Sequence, residues 1–169
     1  MIRRFTTLSC IVLLLLVAMP SMVLAGPSID TVKKNVVKIW KPVKENQPSV
    51  QVQTLKKIID SDRTIVLLDV RTTKEYEAAH LPGAINITRG LVEWEAPKMI
   101  KNTDAKIFVY CRTGARSAMV TRRLTKMGYM NVKNVYSGFK GWVLEGYPVY
   151  NMHGKFKLTP KGFEKPEPE

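Results

Sequence analysis

Between residues 50 and 150, short apolar runs take turns with apolar residues at helical spacing. The segment 64–69 contains Ile65-Val66-Leu67-Leu68, too short for a helix of its own, and reads as a buried strand. Segments 84–87, 106–110 and 132–136 read the same way. Helices fall between them. Residues 54–60 form one, and Thr72-Thr73-Lys74-Glu75 is a capping box that opens another through Ala79. Residues 89–102 are helical with an interruption at Pro97. Residues 117–127 carry Val120, Leu124 and Met127 at helical spacing before Gly128 closes the turn. A last helix covers 139–145. Strands separated by helices require parallel crossovers, which predicts an α/β domain over 50–150, one mostly parallel sheet with helices on both faces.

The flanks have different patterns. In the extension 26–49, Val32, Val36, Ile39 and Trp40 recur at helical spacing with Lys33, Lys34, Lys38 and Lys41 mainly elsewhere on the wheel. This predicts a short amphipathic helix over 30–40 that Pro42 interrupts. Such a helix packs on the domain, or lies on a membrane surface through residues 28–41, or shields the functional site. Residues 151–169 are rich in Lys, Pro and Glu and read as a mobile tail. Residues 1–25 begin with Arg3 and Arg4, pass through an apolar run at 10–19 and end Val23-Leu24-Ala25, the pattern of a secretory signal cleaved near Ala25. The apolar core is short for a membrane span of ~20 residues, so the expectation is an exported, periplasmic protein and not an anchored one.

Export changes the meaning of the composition. The net charge of +13 would suggest nucleic acid, but the basic residues are scattered and are not interleaved with aromatics, so no nucleic-acid partner is expected. Loss of the leader takes Arg3 and Arg4 from the 27 basic residues and nothing from the 14 acidic ones. The excess suits small anions or an anionic membrane face. Of the two cysteines, Cys10 leaves with the leader, so no internal disulfide can form. A lone thiol in an oxidising compartment needs a reason to be there, and catalysis supplies one. With His80 and His153 the only histidines, no transition-metal site is expected.

The chemistry centres on Ile107-Phe108-Val109-Tyr110-Cys111-Arg112-Thr113-Gly114-Ala115-Arg116-Ser117. Strand, loop and helix follow in that order. The carboxyl end of a strand in an open α/β sheet is where ligands bind, and the following helix start offers unpaired N–H groups to an anion. Those groups and nearby guanidinium ions favour thiolate over thiol at Cys111. Gly114 lets the loop turn with positive φ, and Arg112 and Arg116 offer planar, permanently charged forks to oxyanions.

Cys111-Arg112-Thr113-Gly114-Ala115-Arg116-Ser117 resembles the active-site loop of the rhodanese-type sulfurtransferases. Upstream, Leu68-Asp69-Val70-Arg71, Glu75-Tyr76 and His80-Leu81-Pro82-Gly83-Ala84-Ile85-Asn86 are similar to the first motif of that family. Downstream, Ser137-Gly138-Phe139-Lys140-Gly141-Trp142 and Gly146-Tyr147-Pro148-Val149 are similar to its closing motif. Ala79 and Ser137 stand where the family commonly has glycine, a departure that bears on turn geometry more than on chemistry. The resemblance implies a three-layer rhodanese-like fold. It also implies that Asp69 and Arg71 pair with each other or brace the loop, and that His80 belongs to a structural turn. Trp142 reads as a core residue.

The implied chemistry is transfer of sulfane sulfur from a donor such as thiosulfate, through a Cys111 persulfide, to cyanide or a thiol, with no cofactor. The amides of Thr113, Gly114, Ala115, Arg116 and Ser117 would stabilise the sulfur, while Arg112 and Arg116 bind the sulfonate end. A non-catalytic persulfide carrier or redox-sensing binding module, docking on an exported protein, is the alternative. A cysteine-dependent phosphatase or arsenate reductase is a weaker one, because only four residues separate Cys111 from Arg116, a loop one residue too short for phosphate.

Overall fold

The computed structural model describes residues 26–159 and 161; the leader expected over 1–25 and the end of the expected tail lie outside them. Five strands form one sheet: β1 (Ser49–Val50), β2 (Val66–Asp69), β3 (Ile85–Asn86), β4 (Ile107–Tyr110) and β5 (Val132–Val135). Their order is β1-β5-β4-β2-β3 and every pairing is parallel, with Leu68 opposite both Val109 and Ile85. The central strand β4 is buried along its whole length. Alternation along it feeds two cores. Phe108 and Tyr110 join Val52 and Leu55 of α2 (Val52–Ser61) with Phe139, Trp142 and Val143 of α6 (Gly138–Leu144). Ile107, Val109 and Cys111 join Val92 and Ala96 of α4 (Val92–Met99) with Val120 and Leu124 of α5 (Ala115–Lys126). Helices thus cover both faces, as the pattern predicts. Trp142 is fully buried and donates its indole N–H to the Pro148 carbonyl at 2.9 Å.

The capping box opens α3 (Thr73–Ala78) as expected: Thr72 Oγ1 accepts from the Glu75 amide at 3.3 Å, and a Glu75 carboxylate oxygen accepts from the Thr72 amide at 3.1 Å. His80 is structural, its Nδ1 2.9 Å from the Tyr76 carbonyl and its ring stacked on Tyr76. Ala79 has φ −168° and Ser137 has φ −93°, so neither turn needs glycine.

Two expectations are corrected. The extension helix, α1 (Ile29–Asn46), does not stop at Pro42 but passes through it. Proline forfeits one backbone bond there, and the turn beyond is held by Asn46 Nδ2, which donates to the Pro42 carbonyl at 2.8 Å, and by the anchoring of Lys44 described below. The tail does not begin at residue 151. Strands β6 (Val149–Asn151) and β7 (Gly154–Phe156) make an antiparallel hairpin, with Phe156 and Leu158 packed against the first core. Tyr150 and His80 exchange backbone hydrogen bonds of 2.8 and 2.9 Å, which ties the hairpin to the segment after α3. Two apolar side chains and one bridge thus order residues that composition alone assigns to a tail.

Candidate active site

Cys111 is the first residue after β4 and is 1 % exposed. The loop that follows has its carbonyls turned outward and fixed. The carbonyl of Cys111 accepts from the Phe139 amide at 2.8 Å, and that of Arg112 from the Lys140 amide at 2.8 Å. The carbonyl of Thr113 accepts from Lys44 Nζ at 2.9 Å. In a trans peptide the N–H points opposite to the C=O, so the next amides, Arg112, Thr113 and Gly114, point away from α6 and α1. Gly114 caps α5 with φ 86° and has no side chain to offer, which leaves the first N–H groups of that helix without an intrahelical acceptor or a capping oxygen. A wall of aligned donors around one sulfur favours negative charge on it.

The cations are arranged differently from the expectation. The Arg116 fork is occupied: its Nη1 and Nη2 lie 3.1 and 3.0 Å from the Glu75 carboxylate oxygens. Glu75 therefore does two jobs, capping α3 and holding Arg116. The hydrogen bond from Arg116 is the main cause that brings the Glu75 carboxyl down to about 2. Arg116 remains coupled to the sulfur, since Cys111 adds to the Glu75 effect that raises its own pKa. Lys44 is pulled down by burial while the charge of Cys111 acts to raise it, and its ammonium sits 4.2 Å from the Tyr136 ring centroid. Arg112 is exposed on the rim of a cleft of about 310 Å³ lined also by Arg71, Glu75, Phe139 and Leu158. Ala115 and Arg116 border a second cleft of about 290 Å³, closed on its far side by Val36, Ile39 and Trp40 of α1.

Glu75→Gln is expected to cost about 1 kcal/mol in urea unfolding at pH 7, through the weakened cap and the lost, partly exposed pair. Because the carboxyl is held at about 2 in the folded state against an ordinary 4.5, its stabilisation is complete above pH 4.5 and is lost as the pH falls toward 2. The gap between wild type and variant should close over that window; a constant gap would count against the clamp.

Asp69 and Arg71 are buried, at 0 % and 4 % exposure, and so are not surface charges. Arg71 Nε and Nη2 lie 3.0 and 2.6 Å from Asp69 Oδ2. Burial works against the Arg71 charge, but Asp69 outweighs it. The guanidinium also donates to the Ala79 carbonyl and lies 4.1 Å from the Phe139 ring, the residue whose amide holds the Cys111 carbonyl. The pair thus braces the loop through α6. Ser117 is fully buried; its hydroxyl lies 3.5 Å from Cys111 Sγ and 2.7 Å from Asn134 Oδ1.

Sequence reasoning misses Lys44, Asn134 and the second role of Glu75. Lys44 carries no signal, being one lysine among many. Asn134 does carry one: it sits in the apolar phase of β5, on the same side as Val132.

A parallel sheet that hands one buried cysteine to an amide-lined loop has the parts that sulfur-centred group transfer needs. The chain belongs to the Rhodanese-like domain family, whose model matches residues 51–145. It is 38 % identical over 95 residues to YrkF of Bacillus subtilis, a candidate sulfur carrier protein, covering 56 % of this chain and 50 % of the relative. The match thus spans half the length of that relative. A sulfurtransferase of Allochromatium vinosum is 27 % identical over 105 residues, covering 62 % of this chain and 96 % of its own. Among solved structures, a rhodanese-related protein of Thermoplasma volcanium superposes with a TM-score of 0.54 at 30 % identity, covering 60 % of this chain and 96 % of that one. Residues 26–50, with α1, lie outside the family match.

Proposed function

We propose that the protein is a thiosulfate sulfurtransferase working through a Cys111 persulfide. The observation that carries this reading is the clamped loop: with the three carbonyls of Cys111, Arg112 and Thr113 held away, its donors are left to the buried sulfur. The Cys111 thiolate attacks the sulfane sulfur of thiosulfate; a new S–S bond forms and sulfite leaves with the electron pair of the old one. Arg112, exposed at the rim, receives the sulfonate end, and the coupled charge of Arg116 assists sulfite departure. A nucleophile, cyanide or a thiol, then attacks the outer sulfur and returns the pair to Cys111.

The occupied Arg116 fork argues against phosphate chemistry, which needs that guanidinium directed at the phosphoryl oxygens. The reading carries with it an exported protein whose leader ends near Ala25, and an acceptor that is a small thiol or an exported protein. Among the described residues no helix is long and apolar enough to cross a membrane. Ile29, Val32, Val36 and Ile39 remain exposed on α1 beside its lysines, which supports contact of residues 28–41 with an anionic membrane surface.

The test is thiocyanate production from thiosulfate and cyanide, run beside hydrolysis of an aryl phosphate. Thiocyanate without phosphate release is the expected result. No turnover, with Cys111 persulfidated in the mass spectrum after thiosulfate, would replace the enzyme by a carrier; no persulfide would remove thiosulfate as the donor.

A further inference from the structure

Behind the catalytic loop three buried polar side chains meet. Cys111 follows β4 directly, Ser117 stands in the first turn of α5, and Asn134 lies on β5. None is more than 1 % exposed. Ser117 Oγ lies between the other two, 2.7 Å from Asn134 Oδ1 and 3.5 Å from Cys111 Sγ. It has one proton and cannot donate in both directions. Among the described residues Asn134 Nδ2 has no protein acceptor.

A carboxamide presents nearly the same shape after a half-turn that exchanges its oxygen and nitrogen. Two networks follow from this geometry. In the first, Ser117 donates to the amide oxygen and a Cys111 thiol donates to Ser117, leaving the amide N–H group buried without an acceptor. In the second, Asn134 Nδ2 donates to Ser117 Oγ, whose proton turns to Cys111 Sγ, and the amide oxygen takes the unpartnered place. A buried N–H without an acceptor is rarer and costlier than a carbonyl with spare lone pairs. The second network aims a donor at the sulfur, and a thiolate accepts that hydrogen bond far more strongly than a thiol does.

We infer that Asn134 and Ser117 are a positioning pair that delivers one hydrogen bond to the Cys111 sulfur from behind and favours its deprotonated form. The pair takes no part in binding the donor. Its effect is largest where Sγ is a full thiolate: before attack on the donor, and at the end of transfer, when the acceptor bonds to the outer sulfur, the S–S bond breaks and its electron pair returns to Sγ. The amides of the loop act on the same sulfur from the open side, so the thiolate is held between two sets of donors. The inference deepens the sulfur-transfer reading and rests on Cys111 as its nucleophile, but not on thiosulfate as its donor.

Alkylation of Cys111 by iodoacetamide, followed from pH 6 to pH 10, tests the pair without any sulfur donor. In Ser117→Ala the rate at pH 7 is expected to fall about tenfold, as for loss of a hydrogen bond to a charged group, and to approach the wild-type value as the pH is raised to 10. Ser117→Thr keeps a hydroxyl and should stay within about twofold of wild type. Asn134→Leu, of similar size, removes the orienting amide and should give a smaller deficit at pH 7 with the same recovery. If Ser117→Ala does not fold, the Asn134→Leu profile alone decides. An unchanged rate at pH 7, a deficit that persists at pH 10, or a threonine variant as slow as alanine would overturn the pair. Failure of the wild type to use thiosulfate would sink that donor and leave these rates untouched.

Discussion

Cys111→Ser is expected to lower thiocyanate formation by about a thousandfold or more while leaving the fold intact. Oxygen cannot accept sulfane sulfur in a persulfide of comparable stability, and a serine hydroxyl ionises far above the working pH, so both the bond and the nucleophile are lost. The replacement is nearly isosteric. Its hydroxyl has a buried partner in Ser117, 3.5 Å from the present sulfur, so the polar atom is not stranded among Val109, Val120 and their neighbours. A thermal midpoint within a few degrees of wild type, together with loss of both turnover and persulfide, is the expected pair of results. Retention of a tenth of the activity would mean that sulfur passes through another group.

Gly114→Ala is expected to damage both the fold and the site. The residue sits at φ 86°, a region that costs an L-amino acid roughly 1–2 kcal/mol. An added Cβ would also run into the carbonyl of Tyr136 and press on Lys44 Cε at 3.1 Å. Neither neighbour can retreat cheaply: Tyr136 follows β5, and Lys44 is tied to Thr113 by its hydrogen bond of 2.9 Å. Strain and overpacking together should cost about 2–4 kcal/mol in denaturant unfolding, and the displaced loop should lose most of its sulfur-transfer rate even where the protein remains folded. An alanine variant with wild-type stability and rate would show that the loop tolerates another path.

The sequence makes the centre of this molecule legible and its edges less so. Strands β2 and β4 are read because each is an apolar run feeding two cores, β5 because Val132 and Val135 bracket a short β segment between turns, and the Thr72–Glu75 cap because it is a local code four residues long. The two-residue strand β1 is too short to leave a pattern, and α1 continues past Pro42 because tertiary anchoring outweighs a local rule. The hairpin beyond residue 150 is hidden by a composition that looks disordered, its order resting on Phe156, Leu158 and a bridge to His80.

In the site, Cys111, Gly114, Asp69 and Arg71 stand where the pattern and the family resemblance put them. Arg116 is read as a cation but not as the partner of Glu75, because that pairing depends on how α3 approaches α5, 41 residues apart in sequence. Ser117 is counted with the substrate loop for its amide, while the first turn of the helix sets its hydroxyl between the sulfur and Asn134. The distinction between facing a ligand and backing a nucleophile is one of helical phase, and needs the helix start located to within a residue.

The two hydrogen bonds from α6 to the loop also make this site self-reporting. The amide protons of Phe139 and Lys140, in the first turn of α6, are donated to the carbonyls of Cys111 and Arg112. Their exchange with solvent deuterium is therefore a clock on the opening of the loop, legible in a spectrum without a label, an inhibitor or a substrate.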